Sequence, residues 1–294
     1  MLIANPIYDV VFKRLMENER VAKFFVGTLL NETVVRIQMR PQEFTHINKL
    51  STLTVFRLDF AAVIQQADGT HRKVLIEIQK ARNEVDLMRF RNYLGEQYKK
   101  EDTVAGEATP LPITTIYILG FKLPNIETAC IKVERQYRDL INARTLKTKN
   151  DFVERLTHDS FVVQVERITD RYQSRLDKLL SVFEQDHFVD NNRILKEYTH
   201  EADDADVREM TAILQRTGAD PETRRELETE LEAVRTLEAH TARQNKKLLE
   251  QERLLRQKEQ ALDEAKEALD KTKETLSEKD RLIEELRRKL DRQK

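Results

Sequence analysis

The sequence predicts an α/β core, a mixed sheet flanked by helices, followed by a helical region and a long charged C-terminal helix. Three observations predict it. Residues 52–66 and 71–80 alternate apolar and polar side chains around Ala67-Asp68-Gly69, which reads as a β-hairpin. Helical spacing of apolar residues lies on either side of that hairpin, and a further apolar strand, ITTIYILGF (113–121), follows it, so helices pack on a sheet. Near the C-terminus a leucine or isoleucine recurs every seven residues, at Leu248, Leu255, Leu262, Leu269, Leu276, Ile283 and Leu290.

Composition sets the domain plan. The chain has 294 residues and 39% hydrophobic content, unevenly spread. Residues 221–294 carry 19 Lys/Arg and 19 Asp/Glu, so 38 of 74 positions are charged and the segment stays solvated. The packed core is therefore expected from residues 1–220. The net charge of −1 argues against a protein that coats nucleic acid through general basicity. Residues 1–125 have 17 basic and 14 acidic side chains, and residues 126–220 have 15 and 19, so local DNA contact is permitted. The single cysteine, Cys130, excludes an intrachain disulfide and a Cys-built metal cage; it reads as a small buried hydrophobe. The six histidines show no HxxxH or HxH spacing, and six glycines form no phosphate-binding loop. Asp9 and Lys13 interrupt what would be a signal core, and no apolar run approaches the ~18 residues of a membrane span. The expectation is a soluble cytoplasmic protein.

Along the chain, Val11, Leu15, Val21, Phe24, Phe25 and Leu29 fit two helices broken near Glu17–Arg20. Residues 84–100 are helical. These elements define a first domain, 1–125. Residues 126–220 read as its mostly helical extension, with helices over 151–156, 171–183 and 204–216 and a short strand at 160–168. Gly218 closes the last of these helices, and Pro221 suits the first turn of the next. In the tail, 221–294, the second seam of the heptad is mostly polar (Gln251, Lys258, Ala265, Thr272, Lys279, Leu286), which predicts a weak coiled coil joining copies of the chain through residues 222–294, or a partner protein. The alternative is a solitary helix held by i,i+4 Glu–Lys pairs.

Two acids sit inside strands that otherwise read as buried, Asp59 and Glu77. A buried carboxylate needs a partner or a metal. If the hairpin loop is the three residues Ala67-Asp68-Gly69, with Gly69 left-handed, Asp59 lies opposite Glu77 on one face, about 5 Å away at Cβ. A two-residue Asp-Gly turn would put them on opposite faces. Paired carboxylates at that separation call for a cation with oxygen ligands, such as Mg²⁺. The other reading is a structural ion-pair set with Arg57 or Lys73. Alternation adds Lys73, Leu75 and Gln79 to the Glu77 face and turns Lys80 away. Gln79 is able to orient a water or a phosphate oxygen.

At these residues the chain resembles the PD-(D/E)xK nuclease superfamily, in its transposase-like, recombination-promoting nuclease branch. The matching elements are Asp9-x-x-Phe12-Lys13, Asp59 in RLDF, Glu77-Ile78-Gln79 in LIEIQ, and Arg89, Arg91 and Tyr93 in MRFRNYLGEQY. The likeness covers residues 5–125 and runs on through 152–165 toward residue 215. It implies a restriction-endonuclease-like core and a DNA endonuclease, a phosphodiester hydrolase. Asp59, Glu77 and the Ile78 carbonyl would bind Mg²⁺ or Mn²⁺, with Asp59, Glu77 and Gln79 catalytic. Arg89, Arg91, Lys73 and Lys13 would meet DNA phosphates, with Asp9 and Tyr93 in support. Leu58 stands where the motif has proline, and Gln79 where it has lysine; the branch commonly carries glutamine there. Lys73 is a candidate substitute, or a solvated lysine at a strand end. Asp9 and Lys13 also read as a surface i,i+4 pair, and Arg89, Arg91 and Tyr93 as packing residues. The rival to a nuclease is a catalytically retired nuclease fold serving as a binding module, with the coiled coil as its working part.

Overall fold

The computed structural model describes residues 1–44, 57–80, 84–104 and 106–291. The elements, in order, are β1 (Leu2–Ala4), α1 (Asp9–Met16), α2 (Glu19–Leu30), β2 (Val34–Phe44), β3 (Arg57–Gln66), β4 (His71–Gln79), α3 (Glu84–Lys99), the short pair β5 (Asp102–Val104) and β6 (Glu107–Thr109), and β7 (Ile113–Leu119). There follow β8 (Cys130–Val133), the pair β9 (Tyr137–Asp139) and β10 (Arg144–Leu146), α4 (Asp151–Leu156), β11 (His158–Gln164), α5 (Arg175–Ser181), β12 (Leu195–Glu197), α6 (Ala205–Ala219) and α7 (Pro221–Asp291).

A mixed six-stranded sheet, ordered β2-β3-β4-β7-β11-β8, organises the chain from Met1 to Ala233. The β2, β3 and β4 strands run antiparallel, β4, β7 and β11 run parallel, and β8 closes the edge antiparallel. The central strands are covered on both faces, as parallel strands require. On one face Phe60, Ile64, Val74, Ile76, Ile116 and Phe161 join α1, α2, α5 and α6 in the main core. On the other, Ala61, Leu75 and Ile113 pack beneath Phe90 and Tyr93 of α3. Local chemistry sets the helix ends. Asn18 accepts the Val21 N–H at 3.1 Å to start α2, and left-handed Asn31 ends it. Ser174 and Asp177 form a reciprocal capping box on α5.

The β3–β4 turn has the three-residue form. Gln66 donates to the Thr70 carbonyl at 2.9 Å, and Gly69 takes φ +85°, which a side chain would strain. Phe60 therefore lies opposite Ile76 and Ala61 opposite Leu75.

Three expectations are corrected. Residues 126–220 are not mostly helical: β11 sits inside the main sheet between β7 and β8, and α5 is a short helix of seven residues. A run such as Phe161-Val162-Val163 carries too little periodicity to show which neighbour it joins. The core does not end at residue 220, because Leu227 of α7 is fully buried and the compact unit runs to Ala233. Gly218 does not terminate a helix. It lies within α6, where a Cβ would come to 2.9 Å from Leu195 and 3.2 Å from the Ala4 nitrogen, so its absent side chain permits close packing.

The second unit, Val234–Lys294, continues α7. Its stripe residues Leu255, Leu262, Leu269, Leu276 and Ile283 are between 48% and 61% exposed, so the apolar seam is not buried within this unit. Among the described residues, no helix is long and apolar enough to cross a membrane.

Candidate functional site

Glu77 lies on β4 and is only 2% exposed, within a strand whose last seven residues are all buried. Alternation turns Val74, Ile76 and Ile78 into the main core, and Leu75 with Glu77 toward α3. The β3–β4 register, carried one residue beyond Phe60 and Ile76, sets the Asp59 backbone opposite Glu77. The Asp59 side chain lies outside the described residues, as does that of Arg89. On the other side of Glu77 the register partner is Tyr117 of β7. Its ring stacks at a tilt 4.6 Å from Phe90, and burial pushes its phenol well above the usual range, keeping it neutral. Glu77 is thus a buried carboxylate on a face that carries the Phe90 and Tyr117 rings beside the polar side chains of Lys73 and Gln79.

Gln79 follows on the same face and is 8% exposed. Its backbone is fixed from β7: the Gly120 N–H donates to the Gln79 carbonyl at 2.9 Å. That approach demands glycine, since a Cβ at position 120 would stand 2.7 Å from the Lys80 carbonyl oxygen. Ile78 points its side chain into the main core, which leaves only its backbone to the site. Tyr93 is buried at 4% beside Phe90, in accord with a packing role, whereas Arg91 is exposed on α3.

Lys73 corrects the reading of a solvated strand end. It is 3% exposed, its ammonium lies 2.6 Å from the Asp102 carboxylate, and it donates to the Gln97 carbonyl at 3.4 Å. So enclosed, it is in no position to meet a DNA phosphate. Lys13 is half-buried and lines a cleft of about 370 Å³ with Met16, Ile37, Gln38 and Phe60, on the face opposite Glu77. Asp9 is likewise not a surface residue: it is buried, with Lys80 3.7 Å away.

Lys80 heads a cluster that the sequence did not announce. Turned from the Glu77 face, as alternation requires, it pairs with Glu230 of α7 and stands 5.0 Å from the Tyr8 ring. Glu230 in turn accepts the Asp9 and Val10 N–H groups at 3.0 and 3.4 Å, capping α1, whose own N-cap residue Tyr8 offers no side-chain bond. A strand end, a helix start and the root of α7 meet here although they are far apart in sequence, and no local pattern signals it. Cys130 is partly buried on β8; burial pushes its thiol up to about 11, which makes it a poor nucleophile.

Among the described residues no group of three or more His, Cys, Asp or Glu side chains is gathered closely enough to hold a metal ion, and Asp59 is not in that set. Comparison with protein-family models, curated proteins and solved structures found no match to this chain.

Proposed function

We propose that the chain is a DNA endonuclease with a restriction-endonuclease-like core, cleaving phosphodiester bonds with Mg²⁺ or Mn²⁺ in the manner of the PD-(D/E)xK transposase-like nucleases. The observation that carries this reading is the buried Glu77 on β4, which the β3–β4 register, carried one step beyond Phe60 and Ile76, sets opposite the Asp59 backbone. Helices on both faces of a mixed sheet, Gln79 on the Glu77 face and exposed Arg91 on the covering helix lend support. Asp59, Glu77 and the Ile78 carbonyl would offer only oxygen donors, the chemistry that suits Mg²⁺. When bound, the cation would activate water and neutralise charge at the scissile phosphate. The Gln79 amide would orient a water or a phosphate oxygen, without supplying positive charge. The aromatic roof of Phe90 and Tyr117 would limit solvent beside Glu77 and strengthen its electrostatic interactions. Arg91 would hold a backbone phosphate. The tail would join two such domains for cutting on both strands.

Lys73 favours a second reading, a nuclease fold retained for binding alone. The lysine best placed to substitute for the one missing at position 79 is committed to Asp102. Supercoiled-plasmid nicking separates the two. The expected result is Mg²⁺-dependent nicking that EDTA, Asp59→Ala and Glu77→Gln each abolish, while Glu77→Gln melts at or above the wild-type temperature because it removes like-charge repulsion between two apposed carboxylates. Wild-type protein that never nicks, or Glu77→Gln that nicks at the wild-type rate, would end the nuclease assignment.

A further inference from the structure

We infer that the β9–β10 hairpin is a DNA-engaging arm, with basic side chains that meet phosphates and an apolar tip that wedges against base steps; this rests on the reading that DNA is the substrate. Charge points to it first. Residues 132–149 carry six basic side chains (Lys132, Arg135, Arg138, Arg144, Lys147, Lys149) against two acidic ones, Glu134 and Asp139. The rest of 126–220 holds nine basic and 17 acidic residues, so positive charge gathers on the hairpin and the segments that flank it. Arg135 is spent at its base on Asp159 and Glu154, at 2.9 and 2.8 Å. Arg144 pairs with Asp139 at 3.3 Å, Lys132 with Glu134 at 3.0 Å and Lys149 with Glu154 at 3.7 Å, while Arg138 and Lys147 are exposed.

The tip is apolar and open. Leu140 is 86% exposed and Ile141 94%, far beyond what an isolated surface hydrophobe needs. It is also held in shape. The Asp139 carboxylate accepts the Ile141 and Asn142 N–H groups at 3.0 and 3.1 Å and the Asn142 side chain at 2.8 Å, while Ala143 takes a left-handed φ of 54°. Below the tip, Tyr137 donates to Glu154 of α4 at 2.6 Å, and Phe152 of that helix is 71% exposed. The register pairs Arg138 with Thr145, so Arg138 lies on the ribbon face opposite Tyr137 and its anchor. A two-stranded ribbon fits a DNA groove, and aliphatic wedges backed by arginine and lysine unstack base steps. An anionic membrane surface would also attract apolar and basic residues together; the nuclease reading favours DNA.

The test is a fluorescence-anisotropy titration of full-length protein on a short labelled duplex at several salt concentrations, with 2-aminopurine reporting unstacking. Wild type should bind and unstack. Arg138→Glu/Lys147→Glu should weaken binding and flatten the salt slope by about two, the loss of two phosphate contacts. Leu140→Ser/Ile141→Ser should weaken binding about tenfold at unchanged slope and lose the unstacking signal. Both pairs are exposed, so folding is spared. Wild type that binds DNA no better than either variant overturns the arm and leaves the nuclease reading intact. Wild type with no affinity for DNA overturns both. DNA binding indifferent to Leu140 and Ile141, with anionic-vesicle binding or self-association that depends on them, assigns the tip to a membrane or a second copy and overturns the DNA arm.

Discussion

Lys196 of β12 is fully buried, and its ammonium donates to the Ser181, Val182 and Glu184 carbonyls at 3.4, 3.5 and 2.5 Å, at the C-terminal end of α5. Burial pushes its pKa down from 10.5 to about 8, against the opposing pull of Glu184 and Asp186. The folded protein thus gives up this proton at about pH 8, whereas the unfolded chain keeps it until 10.5. Between those values the unfolded state binds more protons, so stability rises with pH; below pH 8 the full cost of the buried charge remains. Urea unfolding should show wild type gaining about 2 kcal/mol relative to Lys196→Met from about pH 7 to about pH 9.5. No relative gain would mean that the carbonyl cage holds the proton. At this same scale Asp59, Glu77 and Gln79 stand out in the sequence, because a charged or polar side chain inside an apolar strand is a local signal. The enclosure of Lys73 by Asp102 was not legible: the partner sits on another strand, and nothing at Lys73 itself distinguishes a buried ion pair from a solvated end.

Among the elements, the β3–β4 hairpin was readable as a hairpin, because turn chemistry and strand period both act within a few residues, while the structure chose the three-residue loop over the two-residue one and so fixed the register. The β4–β7 pairing depends instead on Gly120, which admits the Lys80 backbone. Gly120→Ala should therefore cost about 1–3 kcal/mol, since the atoms in its way are main chain. Gly95, exposed in α3, meets nothing within 4 Å of a built Cβ, and Gly95→Ala should add about 0.5–1 kcal/mol. Chemical denaturation of the two variants checks the contrast; equal effects would mean that the strand ends can part freely. In 126–220 the elements were less legible. Strands as short as β8, with four residues, gain their stability from neighbours and show little period of their own.

At the scale of the whole molecule, α7 begins as part of the core and ends as a solvated helix with an apolar stripe. Leu227 is buried in the main core, and Glu230 caps α1 and pairs with Lys80. A chain ending at Ala233 should unfold cooperatively at close to the full-length midpoint. One ending at Gly218 should lose about 2–5 kcal/mol for Leu227 alone and more from the uncapped α1. Thermal unfolding of both fragments tests this; equal midpoints would show that the root of α7 adds nothing to the fold. Sedimentation of the full chain and the Ala233 fragment then reads what the exposed seam does.

The sequence by itself determined the first helices, the hairpin, the helix and strand after it, the face shared by Glu77 and Gln79, and the charged helical tail, though not the strand β2 that stands between α2 and the hairpin. Each of these follows from spacing within a few residues, where backbone geometry translates pattern directly into direction. Only the tertiary structure decided that β11 enters the main sheet, that Lys73 is closed off by Asp102, and that Glu230 reaches back to α1 and Lys80. Those outcomes turn on which distant segments exclude water from one another, and that choice is made by packing across the whole domain.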